Sequence, residues 1–192
     1  MTQVAERLLS EEEYLKLEDE SIEKRHEYID GVLRLMAGTT QEHNNVVQNF
    51  VFKLMLTARE KACRLAVENI RVKLPAGSKK RYYYPDVVVS CRPNDGDRRT
   101  IENPCFVVEI LSKSTSAVDK GEKLDTYQRI ASIKQYVIVD QARRKVEVYT
   151  RQGSKWIYEM LESGTFDIAC LETTMTLEEV YAGLRFDESE KE

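Results

Sequence analysis

Two acidic residues interrupt runs of apolar residues that are typical of buried strands. Asp86 comes directly before the three valines at 87–89, and Glu109 lies inside the apolar run at 106–111. Burying an ionised carboxylate is costly unless the group is paired or holds a metal ion. If the two strands are neighbours, about 4.8 Å apart, both carboxylates can face one point and bind a divalent cation. Alternatively, each is a strand-end residue whose charge an arginine or a backbone N–H satisfies.

The segment after Glu109 adds a candidate catalytic cation. Lys120, Lys123 and Tyr127 follow a polar loop at three- and four-residue intervals, so they share one face of a predicted helix. A lysine that points at a metal site can hold an attacking water or stabilise the charge of a phosphorane-like transition state. The alternative is a solvated helix surface, which is the interpretation we favour for Lys120.

A basic and aromatic stretch leads directly into Asp86. Lys79, Lys80 and Arg81 are followed by three tyrosines at 82–84. Contacts from lysine and arginine to phosphate, together with stacking of bases on aromatic rings, hold unspecific or single-stranded nucleic acid. The sequence therefore predicts a nucleic-acid contact near the candidate cation site. The alternative is a solubilising loop whose tyrosines pack on a sheet edge.

The composition is that of a globular chain with an uneven charge distribution. Of the 192 residues, 42% are hydrophobic and 32% are charged, which predicts one domain over residues 1–186 and a disordered acidic tail at 187–192. The formal net charge of −4 does not indicate a nucleic-acid-binding surface, which normally carries a basic excess. However, residues 64–84 contain six basic residues and one acidic residue, whereas residues 1–30 contain four basic and ten acidic residues.

The sequence contains no evident membrane or targeting segment. No run approaches the roughly 18 consecutive apolar residues that a membrane helix needs, and the first nine residues lack the apolar core of a signal peptide. We therefore expect a soluble, cytoplasmic protein without a membrane partner.

The four cysteines show no familiar ligand or disulfide pattern. Cys63, Cys91, Cys105 and Cys170 are far apart and include no C-x-x-C pair, and the chain has only two histidines. This spacing argues against a zinc finger and against a disulfide framework. At Cys91 and Cys105 we expect buried, reduced thiols with no functional role, and we expect that the chain binds no zinc.

The apolar periodicity predicts a mixed α/β fold. Ser10 and Glu13 have the spacing of a helix capping box, and Asp30-Gly31 between two β-prone runs is a strong hairpin signal. Apolar residues recur at helical intervals over 42–60. Further predicted elements are strands at 63–74, 87–89, 106–111 and 135–140, a hairpin at 145–150 and 155–160, and helices at 119–130 and 176–182. This order implies one mixed sheet with helices on its faces.

The order of these residues resembles a known family. The pattern is carried by Pro85-Asp86, by residues 109–112, by Asp119, Lys123 and Tyr127, and by residues 135–140, and it extends over nearly the whole chain. The chain is similar to the Uma-type restriction endonuclease family, long classed as a domain of unknown function, of the PD-(D/E)XK superfamily. The resemblance implies a restriction-endonuclease-like α/β fold, in which a mixed β-sheet core flanked by helices carries an additional N-terminal hairpin and an additional C-terminal hairpin.

The resemblance also implies metal-dependent hydrolysis of a phosphodiester. Asp86 and Glu109 would be ligands of Mg²⁺, for which Mn²⁺ can substitute, and the backbone carbonyl of Leu111 would complete the site. The superfamily has a lysine two residues after the second acid, where this chain has Leu111. In the Uma-type pattern the lysine has moved to the following helix, and the matching residue is Lys123. Lys113 stands where the family usually has proline, so we interpret it as a loop residue.

Two further residues match the family pattern. Glu27, just before the first hairpin turn, would extend the carboxylate cluster or bind a second metal ion. Alternatively, it is a surface strand residue. His43, at the head of the long helix, would contact metal-bound water or phosphate, or it is a capping or packing histidine.

These residues support three functional hypotheses. The first is a Mg²⁺-dependent DNA endonuclease in which Lys123 positions the attacking water. A homodimer would suit this activity, because two sites related by a twofold axis can cut both strands of a duplex. The second is a catalytically silent nucleic-acid-binding or oligomeric interaction module with the same fold, suggested by the displaced lysine and the net acidic charge. The third is an enzyme that acts on RNA or on small phosphate esters.

Overall fold

The computed structural model describes residues 8–36, 38–76, 79–112 and 116–186, with only the backbone described at residues 76, 79 and 117. The predicted acidic tail at 187–192 and the predicted loop residue Lys113 lie outside the described residues. The helices are α1 (Glu11–Glu20), α2 (Gln41–Glu60), α3 (Ser116–Val118), α4 (Leu124–Gln128) and α5 (Leu177–Val180), and a π-helical turn (Asp119–Lys123) joins α3 to α4. The strands are β1 (His26–Ile29), β2 (Val32–Leu35), β3 (Arg64–Val67), β4 (Arg71–Ala76), β5 (Lys79–Tyr83), β6 (Val87–Ser90), β7 (Thr100–Ile101), β8 (Phe106–Leu111), β9 (Gln135–Asp140), β10 (Lys145–Gln152), β11 (Lys155–Leu161), β12 (Thr165–Ile168) and β13 (Thr173–Thr176).

A six-stranded mixed sheet forms the centre of the fold. Its strand order is β11-β10-β9-β8-β6-β3. Strands β8 and β9 pair in parallel, and the other neighbours pair antiparallel. Strands β6 and β8 are buried along their whole length, as their nearly continuous apolar sequences predict. A second sheet has the order β2-β1-β5-β4-β7, and β12 and β13 form a separate hairpin.

Alternate residues of the central strands face different layers of the fold. Val87 of β6 belongs to an apolar cluster with the buried face of α2, whereas Val88 belongs to a second cluster with α4 and the second sheet. Val107 of β8 belongs to the same cluster as Val88. Because side chains alternate along a strand, Glu109 lies on this second face as well. The α3–α4 segment and the second sheet can therefore bring side chains to Glu109, whereas Asp86 directly precedes β6 and lies next to the head of α2.

The structure confirms most of the predicted elements. The capping box of Ser10 and Glu13 is formed at the start of α1. Asp30 and Gly31 both have positive φ angles, 54° and 102°, as the tight turn between β1 and β2 requires. The strands at 87–89, 106–111 and 135–140, the long helix and the C-terminal hairpin also form. The mixed α/β architecture with hairpins near both ends is thus confirmed, but the expectation of one mixed sheet is wrong, because the described strands form three sheets.

Some strand predictions are wrong. The segment at 63–74 is two strands, because the chain turns at Glu68, which has a φ angle of 46°, and β3 and β4 then join different sheets. The basic stretch is strand β5, which pairs with both β1 and β4, and it is not a loop. The hairpin of β12 and β13 is absent from the sequence prediction.

The prediction of a buried, reduced thiol is confirmed at Cys105 and wrong at Cys91. Cys63 and Cys91 come directly before and after the paired residues of β3 and β6, opposite each other, and they form a disulfide. Cys105 and Cys170 are free thiols, and all four sulfur-bearing residues lie at the same apolar cluster. Spacing along the chain does not reveal this arrangement, because strand pairing brings residues 28 positions apart into register.

Candidate active site

Antiparallel pairing of β6 and β8 brings the two interrupting carboxylates together. Val87 lies opposite Val108, so Asp86 and Glu109 are neighbours across the strand pair. The Oδ2 atom of Asp86 accepts a hydrogen bond of 2.6 Å from the backbone N–H of Ile110. The expectation that the two acidic strands are adjacent is confirmed, and a backbone N–H satisfies part of the charge of Asp86.

Lys123 lies at the centre of the carboxylate cluster. Its Nζ atom is 2.9 Å from Oε1 of Glu109, 2.9 Å from Oε1 of Glu27 and 3.4 Å from Oδ1 of Asp119. The hydroxyl of Tyr127 donates a hydrogen bond of 3.1 Å to the same Oε1 of Glu109. The lysine of the following helix and the glutamate of the first hairpin therefore meet the strand carboxylate at one point.

A π-helical turn sets the position of this lysine. The turn comprises Asp119–Lys123, and both of its terminal side chains point inward, with Asp119 1% exposed and Lys123 5% exposed. The hydroxyl of Tyr136 on β9 donates a hydrogen bond of 3.0 Å to the carbonyl of Asp119 and supports the turn from the sheet. A π turn inside an α-helix is unusual and is frequent at functional sites.

Glu27 is a buried member of the cluster, so the alternative of a surface strand residue is wrong. It is 4% exposed, and it lies opposite Arg34 in the β1–β2 pair. Arg34 Nη1 is 3.6 Å from Glu27 Oε2, and Arg34 also contacts Glu122 at 3.3 Å. Sequence reasoning missed Arg34, although the two-residue turn at Asp30-Gly31 fixes the register that pairs it with Glu27.

His43 joins Asp86 to the head of α2. The hydroxyl of Thr40 caps the helix by accepting a hydrogen bond from the backbone N–H of His43, so the ring itself is not the cap. The ring Nε2 is 3.2 Å from Oδ1 of Asp86, and Nδ1 is 4.0 Å from Oε1 of Glu68. Burial lowers the pKa of His43, but the hydrogen bond and charge of Asp86 outweigh this effect and raise the pKa overall.

Carboxylates outnumber cations at the centre of the cluster. Glu27, Glu109 and Asp119 contact Lys123, and Asp86 is the cross-strand neighbour of Glu109. Burial raises the pKa of Glu109 well above its ordinary value; the charge of Lys123 opposes this shift and the neighbouring carboxylates reinforce it. Burial lowers the pKa of Lys123, but the surrounding carboxylates raise it by more, so the pKa lies well above its ordinary value. We therefore assign the side chain as a charged ammonium. An excess of oxygen ligands over positive charge fits a hard divalent cation.

The cluster opens into a cavity of about 300 Å³. The acidic residues, Lys123 and His43 line it together with residues 36 and 38–40, which lie between β2 and α2. The carbonyl of Leu111, a predicted metal ligand, accepts a hydrogen bond of 2.8 Å from Nε2 of Gln141. A carbonyl oxygen has a second lone pair, so the role of Leu111 stays a prediction.

The basic stretch before Asp86 is engaged outside this cavity. Lys80 forms an ion pair with a glutamate of α1, and Arg81 pairs with Asp30 at 2.9 Å. The side chain of Lys79 lies outside the described part of the chain. The tyrosines at 82–84 are at most 3% exposed, so the expectation that their rings can stack on bases is wrong. Tyr82 packs with Tyr14 and Tyr28, and Tyr83 packs in the apolar cluster shared with α4 and the central sheet. Contact of the basic side chains with nucleic acid stays a prediction.

The fold and the cluster together define a restriction-endonuclease-like protein, in which adjacent central strands carry an acidic pair and a lysine lies beside it. The model of the Uma2 family, described as "Putative restriction endonuclease", matches residues 11–180. The chain therefore belongs to the Uma2 family, as the resemblance predicts.

Comparisons with individual proteins agree with this assignment. Two proteins of Synechocystis sp. are similar to the chain: "Uncharacterized protein sll1609" is 29% identical over 79% of this chain and 86% of its own length, and "Uncharacterized protein slr1290" is 30% identical over 93% and 94%. A crystal structure from Anabaena variabilis ATCC 29413, described as "a putative nuclease belonging to DUF820", superposes with a TM-score of 0.69 at 18% identity, covering 88% of this chain and 96% of that one. This likeness shows the shared fold.

None of the described helices has the length and apolar character needed to span a membrane.

Proposed function

We propose that the protein is a Mg²⁺-dependent endonuclease that hydrolyses phosphodiester bonds of DNA, with Asp86, Glu109 and Lys123 as its catalytic residues. The observation that carries this proposal is the meeting of the strand carboxylates with a buried lysine at the wall of one cavity. The lysine stands 14 residues after Glu109 in the sequence, yet its Nζ lies 2.9 Å from that carboxylate. The family assignment supports the nuclease class.

The donor set fits the proposed metal ion. Asp86 and Glu109 would hold Mg²⁺, or Mn²⁺ in its place, together with the Leu111 carbonyl, and Glu27 would add charge to the cluster or serve a second ion. When bound, such an ion polarises the scissile phosphate and lowers the pKa of an attacking water. Three carboxylates contact Lys123, and Asp86 lies beside Glu109, so four carboxylates face the three basic side chains of Lys123, Arg34 and His43 and an excess of acidic oxygen atoms is left for the ion.

Lys123 acts as a charged hydrogen-bond donor in this proposal. Its raised pKa keeps it protonated at neutral pH, so it does not accept a proton from water. An ammonium group has three N–H donors, and three carboxylates surround this one. Asp119, at 3.4 Å, is the most distant of the three carboxylates. A water molecule or a phosphate oxygen can therefore replace this contact with the smallest loss of electrostatic interaction energy. The retained charge then stabilises negative charge that develops on the phosphate.

His43 and Ile110 hold the carboxylate of Asp86 in place. One oxygen accepts from the ring Nε2 and the other from the backbone N–H, so the carboxylate plane is fixed from two directions. The raised pKa of His43 also favours the imidazolium form, which places positive charge beside a cavity proposed to take an anionic phosphate.

The test is cleavage of supercoiled plasmid and of single-stranded DNA with Mg²⁺, Mn²⁺ or EDTA. We expect metal-dependent cleavage by the wild type and a loss of about 100-fold or more in Asp86→Asn, Glu109→Gln and Lys123→Met. Lys120→Met is the matched control, because Lys120 lies on the same helical segment but pairs with Glu147 at 2.6 Å and is 38% exposed. Cleavage by Glu109→Gln at the wild-type rate would refute the site assignment.

The same experiment separates the remaining hypotheses. Lys123 already neutralises part of the cluster, an arrangement that a catalytically silent nucleic-acid-binding or interaction module would also retain. DNA binding without cleavage by the folded wild type under every metal would favour that module. RNA and small phosphate esters in the substrate panel test the third hypothesis, and light scattering with and without duplex DNA tests the expected homodimer.

A further inference from the structure

The four cysteines meet at the end of the central sheet that lies away from the carboxylates. Cys63 follows the C-terminus of α2, Cys91 follows β6, Cys105 precedes β8, and Cys170 lies between β12 and β13. The backbone N–H of Cys105 donates a hydrogen bond of 2.8 Å to the carbonyl of Val89. Four separate segments of the chain therefore each deliver one sulfur atom to one place.

The spacing of three of the sulfur atoms is compatible with ligation of one metal ion. The Sγ atoms of Cys91, Cys105 and Cys170 all lie within 4.8 Å of one another, and those of Cys91 and Cys105 are 3.8 Å apart. In a tetrahedral zinc site with Zn–S bonds of about 2.3 Å, neighbouring sulfurs are about 3.8 Å apart. Cys63 contributes a fourth sulfur, which is bonded to that of Cys91.

We propose that these four cysteines, in the reduced chain, form a zinc site that ties α2, β6, β8 and the β12–β13 turn together. This reverses the expectation from sequence spacing that the cysteines bind no zinc. A dithiol reductant first converts the Cys63–Cys91 disulfide into two thiols and is itself oxidised to a disulfide. The ion then binds four thiolates, and the four thiol protons pass to solvent.

The chemistry of the cluster distinguishes it from the carboxylate cavity. Among the residues that the structure describes, no carboxylate or imidazole belongs to the group of converging sulfur ligands. Thiolates are soft ligands that select zinc, whereas Mg²⁺ prefers oxygen ligands. Asp86 and Cys91 flank opposite ends of β6, which places them about 16 Å apart at roughly 3.3 Å per residue. The two sites can therefore be tested separately.

The cluster is shielded but accessible. Cys105 is 7% exposed, and the other three cysteines are half-buried against the apolar cluster of α2 and the central sheet. An ion can reach the partly exposed sulfurs, while the apolar surroundings limit the access of water that could replace a thiolate ligand. This is the environment of a structural site, in which all ligand positions are filled by protein.

The experiment measures metal content and ligand type in the full chain. Protein expressed with zinc in the medium and purified with a dithiol reductant is analysed by mass spectrometry of metals, and we expect about one zinc per chain. Replacement by Co²⁺ should give the strong visible absorption of a tetrahedral site and a near-ultraviolet thiolate-to-cobalt band. Cys105→Ser/Cys170→Ser should lower the metal content at least about tenfold. Glu109→Gln, at the other end of the strands, should leave it unchanged.

A second measurement does not depend on the folding of a variant. Stepwise modification of the wild-type thiols with a mercurial should release zinc in proportion to the cysteines modified, as followed with a chromogenic chelator. Reduced wild-type protein that contains no zinc and gives no thiolate-to-cobalt band would overturn the proposal. Unchanged zinc content in folded Cys105→Ser/Cys170→Ser would overturn it as well. Neither result would bear on DNA cleavage, whose residues lie elsewhere.

Discussion

Replacing Lys123 by methionine should strongly destabilise the protein, because the substitution removes the cation that three buried carboxylates share. The methionine keeps much of the apolar volume, so the effect is mainly electrostatic. At neutral pH the cluster must respond by binding a proton. Protonating one glutamate at pH 7 from an ordinary pKa of about 4.3 costs roughly 4 kcal/mol. Removing one partner of a buried ion pair typically costs about 3–5 kcal/mol in the free energy of unfolding, which is the same range.

The sign of the pH dependence follows from the same argument. A carboxyl group that is protonated in the folded variant and ionised in the unfolded chain makes the variant less stable as the pH rises. The deficit relative to the wild type should therefore shrink by about 1.4 kcal/mol for each pH unit below 7, until the unfolded carboxyl group also protonates. Adding Glu109→Gln to Lys123→Met should recover part of the loss, because it removes one of the carboxylates left without the lysine.

The assay is urea unfolding of the wild type, Lys123→Met, the double variant and Lys120→Met between pH 5.5 and 8, followed by circular dichroism. Lys120→Met should cost only about 0–1 kcal/mol, because its ion pair with Glu147 is partly exposed. The reasoning would be refuted if Lys123→Met unfolded at the same urea concentration as Lys120→Met, or if its deficit did not change with pH.

Three further predictions concern single side chains. Tyr127→Phe removes the fully buried hydroxyl that donates a hydrogen bond to Glu109. We expect a loss of about 1–2 kcal/mol in the free energy of unfolding. No measurable loss would contradict this hydrogen bond. Burial raises the pKa of Glu147, but the hydrogen bond and charge of Lys120 outweigh this effect and lower the pKa overall. Glu147→Gln should therefore be less stable than the wild type at pH 7 and equally stable well below about pH 4. A difference that persists in acid would contradict that assignment. Leu54→Ala on α2 removes a fully buried side chain and should cost about 2–5 kcal/mol in urea unfolding; a smaller loss would mean that α2 packs loosely.

The parts of the fold that the sequence predicts are those with local signals. The strands that carry Asp86 and Glu109 are buried on both faces, so their apolar runs are nearly continuous and each acidic residue is conspicuous within them. The first hairpin depends on two residues, Asp30 and Gly31, that adopt the positive φ angles of its turn. By contrast, no glycine or proline marks the break at Glu68, so the apolar pattern over residues 63–74 predicts a single strand.

The candidate site was predictable to the extent that its residues lie on such elements. Asp86 and Glu109 follow from apolar context, and Lys123 from its helical spacing together with the resemblance to a family. Asp119 lies four residues before Lys123, where a helix would pair the two, yet the π turn that directs both inward has no sequence signal that we recognise. The burial of Glu27 depends on how the second sheet packs on the first, which is a tertiary property.

The two ends of the β6–β8 pair make opposite demands on the residues beside it. At one end Asp86 and Glu109 bring like charges together, and this costs stability unless a cation is present. At the other end Cys91 and Cys105 lie beside the same two strands, where a disulfide or a metal ion would hold the strand ends together. The ends are about 16 Å apart along β6, so the two contributions should add in the free energy of unfolding. The destabilisation of cysteine variants should therefore be the same in the wild-type and Glu109→Gln backgrounds, and unequal losses would show that the two ends are coupled through the paired strands.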